Sequence, residues 1–322
     1  MPEALAQQLD SALAGDRGAL ARLISVLERG GSEAALVERC LRVRPGSSYT
    51  VGITGAPGAG KSTLVSTLLG EILADTCPVA LLAVDPSSPL TRGALLGDRV
   101  RMQAHTASPD VFIRSMASRG HLGGLAMATR SARRLLEACG WPLTLIETVG
   151  VGQVELDVAS ATDTVVVVLN PGWGDEVQAN KAGLMEVADI FVINKADKAG
   201  LESTRRDLEG ALASLPPESR PQVLETVATE GKGAAALWQA IKDHRAAITA
   251  SGDLRQRRLA QVRSELRGLV DAVLADRVQG LFNGTGAEAR ILAVSDGRLD
   301  MAEASEEILA LLYDGAAQSL EN

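Results

Sequence analysis

Aromatic residues are nearly missing from this 322-residue chain: three Phe, two Tyr and three Trp amount to 2% of it. The core must therefore be assembled from Val, Leu, Ile and Ala, within an otherwise ordinary 46% hydrophobic and 22% charged composition. Histidine and cysteine are as scarce, at three each. Cys40, Cys77 and Cys139 lie far apart and form no CxxC pair, so they read as buried structural thiols in a reducing compartment. Excess positive charge is lacking too. The formal net charge of −8 gives no electrostatic ground for nucleic acid or an anionic membrane as the main partner. No apolar run approaches the ~20 residues that span a bilayer. The opening MPEALAQQLDSALAGDRGAL has no basic start followed by an apolar block, so a cytoplasmic protein is the expectation.

What is present is organised in three parts. Residues 1–45 carry Leu5, Leu9 and Leu13, then Leu20, Leu23, Ile24 and Leu27, at the spacing of short amphipathic helices. Pro45-Gly46-Ser47-Ser48 breaks the pattern. Over 46–251 short apolar runs alternate with helical segments: TVGIT (50–54), VALLAV (79–84), VFIR (111–114), LTLIE (143–147), TVVVVL (164–169), DIFVIN (189–194) and QVLETV (222–227). Several are continuously apolar, as strands covered on both faces are. The alternation predicts an α/β fold with a doubly wound, mostly parallel sheet. After Gly252 a helical tail follows over 252–322. There Leu259, Val262, Leu266, Leu269 and Val273 form a short seam, and a last helix is expected from about Asp300 to Tyr313.

Gly55-Ala56-Pro57-Gly58-Ala59-Gly60-Lys61-Ser62 fits the phosphate-loop pattern GxxxxGK(S/T), after a predicted strand and at the start of a predicted helix. The glycines let successive backbone N–H groups, through Thr63, turn toward phosphate oxygens, and the helix N-terminus adds partial positive charge. Lys61 is placed to reach the β- and γ-phosphates and Ser62 to ligate Mg²⁺. The alternative, a chance Gly-rich turn, does not account for that context.

Asn194-Lys195-Ala196-Asp197 directly follows the strand DIFVIN, at the carboxyl edge where parallel sheets bind ligands. The Asp197 carboxylate can accept from both N1–H and N2–H of guanine, donors that adenine lacks. Lys195 can lie along the base and Asn194 can brace the loop. On its own this tetrapeptide would be a strand-end turn. Placed after a phosphate loop, it predicts GTP and GDP as the bound nucleotides.

Three acidic residues stand between these anchors. Asp85, in AVDPSS, suits a carboxylate on the magnesium side; a helix N-cap or turn residue is the alternative. Asp98, in LLGDRVRM, can join it or be a solvated helix position. Glu147, in LIETVGVGQVE, stands where many phosphate-binding proteins end the strand with Asp.

These motifs together resemble the MeaB/ArgK/MMAA family of GTPases, within the SIMIBI class of P-loop proteins. The resemblance rests on GITGAPGAGKST, AVDPSSP, LGDRVRM, FIRSMASRGHLGGLA, LIETVGVGQVE, PGWGDEVQANKAG and DIFVINKADK. It implies a chaperone that couples GTP hydrolysis to cobalamin loading and protection of an adenosylcobalamin-dependent acyl-CoA mutase, typically methylmalonyl-CoA mutase. It also implies that Asp85, Asp98 and Glu147 form an acidic group, with Ser62, on the metal side. The segment from Pro171 to Lys181 resembles a further switch that contacts the mutase, with Lys181 tied to hydrolysis. The C-terminal helices resemble a dimerisation arm, which implies a homodimer. Val227-Ala228-Thr229 stands where Ser-Ala is usual in the third base-binding element, and its backbone N–H groups remain available to guanine O6. Gly150 is placed to sense the γ-phosphate through its N–H; Gln153 can orient water or be a polar surface residue. Arg92, Arg99 and Arg119 offer no identifiable built-in arginine finger, so slow hydrolysis stimulated by a partner is expected.

Two other functions share parts of this pattern. A nickel-type metallochaperone GTPase needs converging His and Cys ligands, whereas His105, His121, His244 and the cysteines are scattered. An ATP-dependent kinase linked to amino-acid transport is disfavoured by Asp197, for which adenine has no matching donors.

Overall fold

The computed structural model describes residues 1–41, 48–86, 105, 107–118, 124–148, 160–172, 183 and 185–320. Its sheet has seven strands: β1 Tyr49–Gly55, β2 Val79–Pro86, β3 Val111–Ser118, β4 Leu143–Thr148, β5 Thr164–Leu169, β6 Ile190–Asn194 and β7 Gln222–Thr226. Every adjacent pair is parallel, in the order β3-β2-β4-β1-β5-β6-β7. The β1, β4, β5 and β6 side chains are buried throughout, as their unbroken apolar runs predict. β3 continues beyond the expected Arg114 to Ser118, because it pairs with β2 along its whole length, as far as Pro86↔Ser118.

Alternating side chains on these strands enter different cores. Val79 and Leu81 of β2 pack with α4 (Lys61–Ala74) and α7 (Ala234–Ser251), whereas Ala80, Leu82 and Val84 face the opposite side. That side is covered by α1 (Glu3–Leu13), α2 (Arg17–Arg29) and α3 (Gly31–Cys40), together with α5 (Gly124–Ala138). Farther along, β5 and β6 pack on α6 (Leu201–Leu212). The N-terminal helices are thus part of the sheet's cover. Ion pairs also tie them down: Glu28 binds Arg114 of β3 and Glu38 binds Arg134 of α5, the latter at 3.1 Å.

The chain divides into two compact units, Met1–Gln261 and Val262–Asn322. Gly252, with φ +86, ends α7, and α8 (Asp253–Phe282) begins at once. In the second unit the end of α8, α9 (Thr285–Ser295) and α10 (Met301–Leu320) line an apolar cavity of about 510 Å³, with Phe282, Ile291, Val294 and Ile308 in its wall. The last helix runs farther than Tyr313. Among the described residues no helix is long and apolar enough to cross a membrane.

At the amino edge of the sheet, Asp189 accepts two hydrogen bonds from Arg257 at 2.7 and 2.8 Å and one from Val165 N at 2.8 Å. Burial disfavours its charge, but hydrogen bonds from His244 and Arg257 outweigh this and hold the carboxyl below its ordinary 3.8. A depressed native pKa stabilises the fold fully above the unfolded value and loses that contribution as pH falls below it. Asp189→Asn should therefore flatten the acid limb of a melting-temperature profile below about pH 4. At neutral pH it should cost about 1–3 kcal/mol, less than a fully buried pair because Arg257 is partly in solvent. An unchanged acid limb would contradict this assignment.

Candidate functional site

The parallel strands all point their carboxyl ends at one edge, so the ends of β1, β4, β6 and β7 lie together there. β1 leads into the phosphate loop through Gly55. Its φ is +131, and a Cβ there would lie 2.0 Å from the Val168 carbonyl of β5, so only glycine lets the strands pair up to the turn. The loop ends at Gly60, φ +90, and α4 opens at Lys61 with its first N–H groups facing the loop. Lys61 is buried and its Nζ donates to Gly55 O and Ala56 O at 2.7 and 2.9 Å. Backbone carbonyls of the loop therefore hold the ammonium beside the place where phosphate oxygens are expected.

Ser62 and Glu147 come together in a hydrogen bond. Ser62 Oγ donates to Glu147 Oε1 at 2.6 Å, and the glutamate side chain is buried. β4 lies beside β1 with Ile53 opposite Glu147, which sets the carboxylate at the level of the phosphate loop. The hydroxyls of Thr148 and Thr54 bridge the same two strands at 3.0 Å. Asp85 lies near the end of β2, opposite Ala117 of β3 and two residues beyond the Ala83 that pairs with Glu147. Its backbone thus reaches the same edge. Asp98, Gly150, Gln153 and Lys181 lie outside the described residues, as do Arg92, Arg99, Arg119 and His121.

Asn194 does more than brace its own loop. Its Nδ2 donates to Ala59 O at 2.8 Å, while its Oδ1 accepts from Thr226 Oγ1 at 3.0 Å and Ala228 N at 3.1 Å. One buried amide thereby joins the phosphate loop, the guanine loop and the loop after β7. Lys195 adopts a left-handed φ of +59 and donates from Nζ to Gly58 O at 2.8 Å. Asp197 is exposed and pairs with Lys198 at 3.3 Å. The Ala228 N–H, expected to face the base, is given to Asn194; Ala228 O accepts from Thr67 Oγ1 at 3.3 Å. Sequence reasoning singled out neither Thr67 nor Thr226. A cleft of about 670 Å³ opens alongside, lined by Thr63, Thr67, Glu71, His105, Ala228 and Thr229. That volume lies within the range of small-molecule sites.

Two substitutions test the amide brace. Asn194→Ala removes three buried hydrogen bonds and should cost about 2–4 kcal/mol of stability, with at least about a tenfold loss of guanine-nucleotide affinity. Gly60→Ala would place a Cβ 2.4 Å from Asn194 Nδ2 and should also abolish tight binding. Combining the two removes the clash, so a double-mutant cycle should give less destabilisation than the sum; strict additivity would refute the coupling.

The family described as methylmalonyl-CoA mutase-associated GTPase MeaB matches residues 20–282. A GTPase-family protein of Pyrococcus abyssi is 46% identical over 314 residues, covering 96% of this chain and 97% of the relative. The mouse mitochondrial methylmalonic aciduria type A homolog is 38% identical over 221 residues, 66% of this chain and 53% of that protein. A crystal structure of a LAO/AO transport system kinase superposes with a TM-score of 0.70 at 30% identity, covering 97% of this chain and 99% of that one. The phosphate loop, the Asn194 brace and these matches together make the chain a member of the MeaB family of P-loop GTPases.

Proposed function

We propose that this protein is a GTP-binding and GTP-hydrolysing chaperone that gates cobalamin loading and protection of an adenosylcobalamin-dependent acyl-CoA mutase. The family match over residues 20–282 carries this reading, since the family's description names methylmalonyl-CoA mutase. The mouse relative's name points the same way, to methylmalonic aciduria.

The residues present suit Mg²⁺, a hard cation that prefers oxygen ligands. Ser62 Oγ and the Glu147 carboxylate lie within 2.6 Å of each other, and Asp85 and Asp98 are further candidates to hold the ion. Bound there, Mg²⁺ would neutralise charge that develops on the phosphates. Lys61 and the N–H groups of 55–63 other than Pro57 orient and stabilise the transferring phosphoryl group. Gly150 senses the γ-phosphate, Gln153 orients the attacking water, and Lys181 belongs to the partner-contacting segment. Asp197 selects guanine, with Lys195 along the base and residues 227–229 closing the pocket.

The parts divide the work: 1–45 as a helical extension, 46–251 as the GTPase domain and 252–322 as a dimerisation arm. Leu259, Val262, Leu266 and Val273 are more than half exposed in one chain, an apolar seam that a second copy would cover. The protein acts in the cytoplasm, with neither nucleic acid nor membrane as partner.

Without a supplied arginine, turnover of the isolated protein should fall at roughly 10⁻⁴ to 10⁻² s⁻¹. A phosphate-release assay giving many turnovers per second would overturn the regulatory part. Glu147→Gln should keep GDP bound yet lower GTP turnover by at least about tenfold and weaken its Mg²⁺ dependence. Competition between ATP and GTP separates this reading from a kinase. For the partner, nucleotide-loaded protein should retain a cobalamin-dependent mutase from its source cell, and Lys61→Ala should lose it. Reproducible absence of any such mutase from the wild-type capture would refute the chaperone role.

A further inference from the structure

The amino edge of the sheet, opposite the nucleotide site, holds a second polar network that hydrolysis does not use. Asp163 is buried and Asp189 partly buried at the starts of β5 and β6, and each receives an arginine from the first two turns of α8. Arg258 donates to both Asp163 oxygens at 3.1 and 3.0 Å and to Ser48 O at 2.6 Å. Asp163 Oδ2 also accepts from Thr50 N and Thr50 Oγ1 at 2.9 and 3.0 Å. Arg257 forks onto Asp189 and donates a further bond to Asp163 O at 3.2 Å. His244 of α7 bridges the two halves. Its Nε2 lies 3.3 Å from Asp189 Oδ1, while its Nδ1 is 2.8 Å from Thr164 Oγ1, which meets the Tyr49 hydroxyl at 2.5 Å. Gln261 adds a bond to Thr162 O at 2.9 Å.

Two features set this network apart from ordinary packing. First, α8 is attached here almost wholly through directional polar bonds. Among the described residues of 253–261, Leu254 alone joins the apolar core. Buried ion pairs add little net stability compared with apolar packing, but they enforce one geometry because a displaced arginine leaves a buried charge unpaired. Second, the strands fastened here are those that carry the nucleotide site at their other ends. β1 runs from Tyr49 to Gly55, and β6 runs from Ile190 to Asn194. Asp163 itself closes the connection between β4, which bears Glu147, and β5.

We propose that Arg257 and Arg258 are positioning residues of a latch that fastens the root of α8 to the nucleotide-bearing strands, so that a bound guanine nucleotide tightens that root. Ordering the phosphate and guanine loops stiffens β1 and β6 along their length, and the carboxylates at their starts then hold the two guanidinium groups with less freedom. This rests on the nucleotide-binding part of the preceding reading and is independent of any mutase.

Hydrogen–deuterium exchange on the full chain tests it, with and without saturating GDP and Mg²⁺. Peptides within 253–261 should slow by about fivefold or more on GDP binding, the lower end of ordinary coupling between sites. In the Arg257→Gln/Arg258→Gln double variant that slowing should disappear, while protection of the phosphate loop by GDP and the GDP affinity stay within about twofold of wild type. Restoring both charges with lysine should recover part of the slowing, since Lys supplies charge without the fork. Wild-type protein in which GDP protects the phosphate loop but leaves 253–261 unchanged overturns the latch alone. Absence of protection at both places overturns the nucleotide reading as well. The wild-type comparison decides the matter even where the double variant fails to fold.

Discussion

A single side-chain amide, that of Asn194, fixes the nucleotide site. A buried amide must satisfy both its donor and its acceptor atoms, and Asn194 does so with Ala59 O on one side and Thr226 Oγ1 and Ala228 N on the other. The phosphate loop, the guanine loop and the loop after β7 therefore cannot shift independently. The same contact dictates local sequence. The amide sits 2.4 Å from where a Cβ at position 60 would be, and the backbone there has φ +90, so glycine is required on two separate grounds. Lys195 adds a second tie between the guanine and phosphate loops through Gly58 O. The site is preorganised by its own side chains, the arrangement in which electrostatic stabilisation of a transition state is most effective.

Glu147 shows how strand register decides residue type. β4 and β1 are adjacent and parallel, with Glu147 level with Ile53, while Ser62 lies in the first turn of α4 beyond the phosphate loop. The carboxylate must cross from its own strand to that turn, and it does so in a 2.6 Å bond. An aspartate at the same register would be shorter by one methylene. The longer stem is thus suited to this distance, and the residue that looked out of place in the sequence is the one that reaches Ser62.

Much of this was legible in the sequence because the physics is local. Short apolar runs bounded by turn signals and alternating with helical segments read as strands, and all seven strands are where those runs lie. The phosphate loop is legible because its backbone geometry demands specific residues. Element ends were less so. β3 outlasts VFIR because pairing with β2 carries Ser115 to Ser118, and α10 outlasts Tyr313. The expectations for Asp98, Gly150, Gln153 and Lys181 fall outside the described residues. The amino-edge network left no trace in the sequence. Asp163 and Arg258 are unremarkable residue types 95 positions apart, and only the strand order brings them together. His244, one of three scattered histidines to the sequence, proves to be the bridge between Thr164 and Asp189.

The sheet therefore has two polar edges separated by a mainly apolar middle, and the two edges differ in how much freedom they leave. At the carboxyl edge, the Asn194 amide and the Lys61 and Lys195 ammonium groups hold loops whose backbone N–H groups are left for a ligand. The two ammonium groups there bond only to neutral backbone carbonyls, so a charged phosphate can compete for them. At the amino edge, paired full charges hold a helix root through two arginine forks, and few rearrangements keep every charge matched. Between them run strands whose side chains are buried on both faces, and a close-packed interior transmits displacement more readily than it absorbs it. A site built to bind and release at one end, and a rigid ionic fastening at the other, is the arrangement in which a change in ligand occupancy is felt across the sheet.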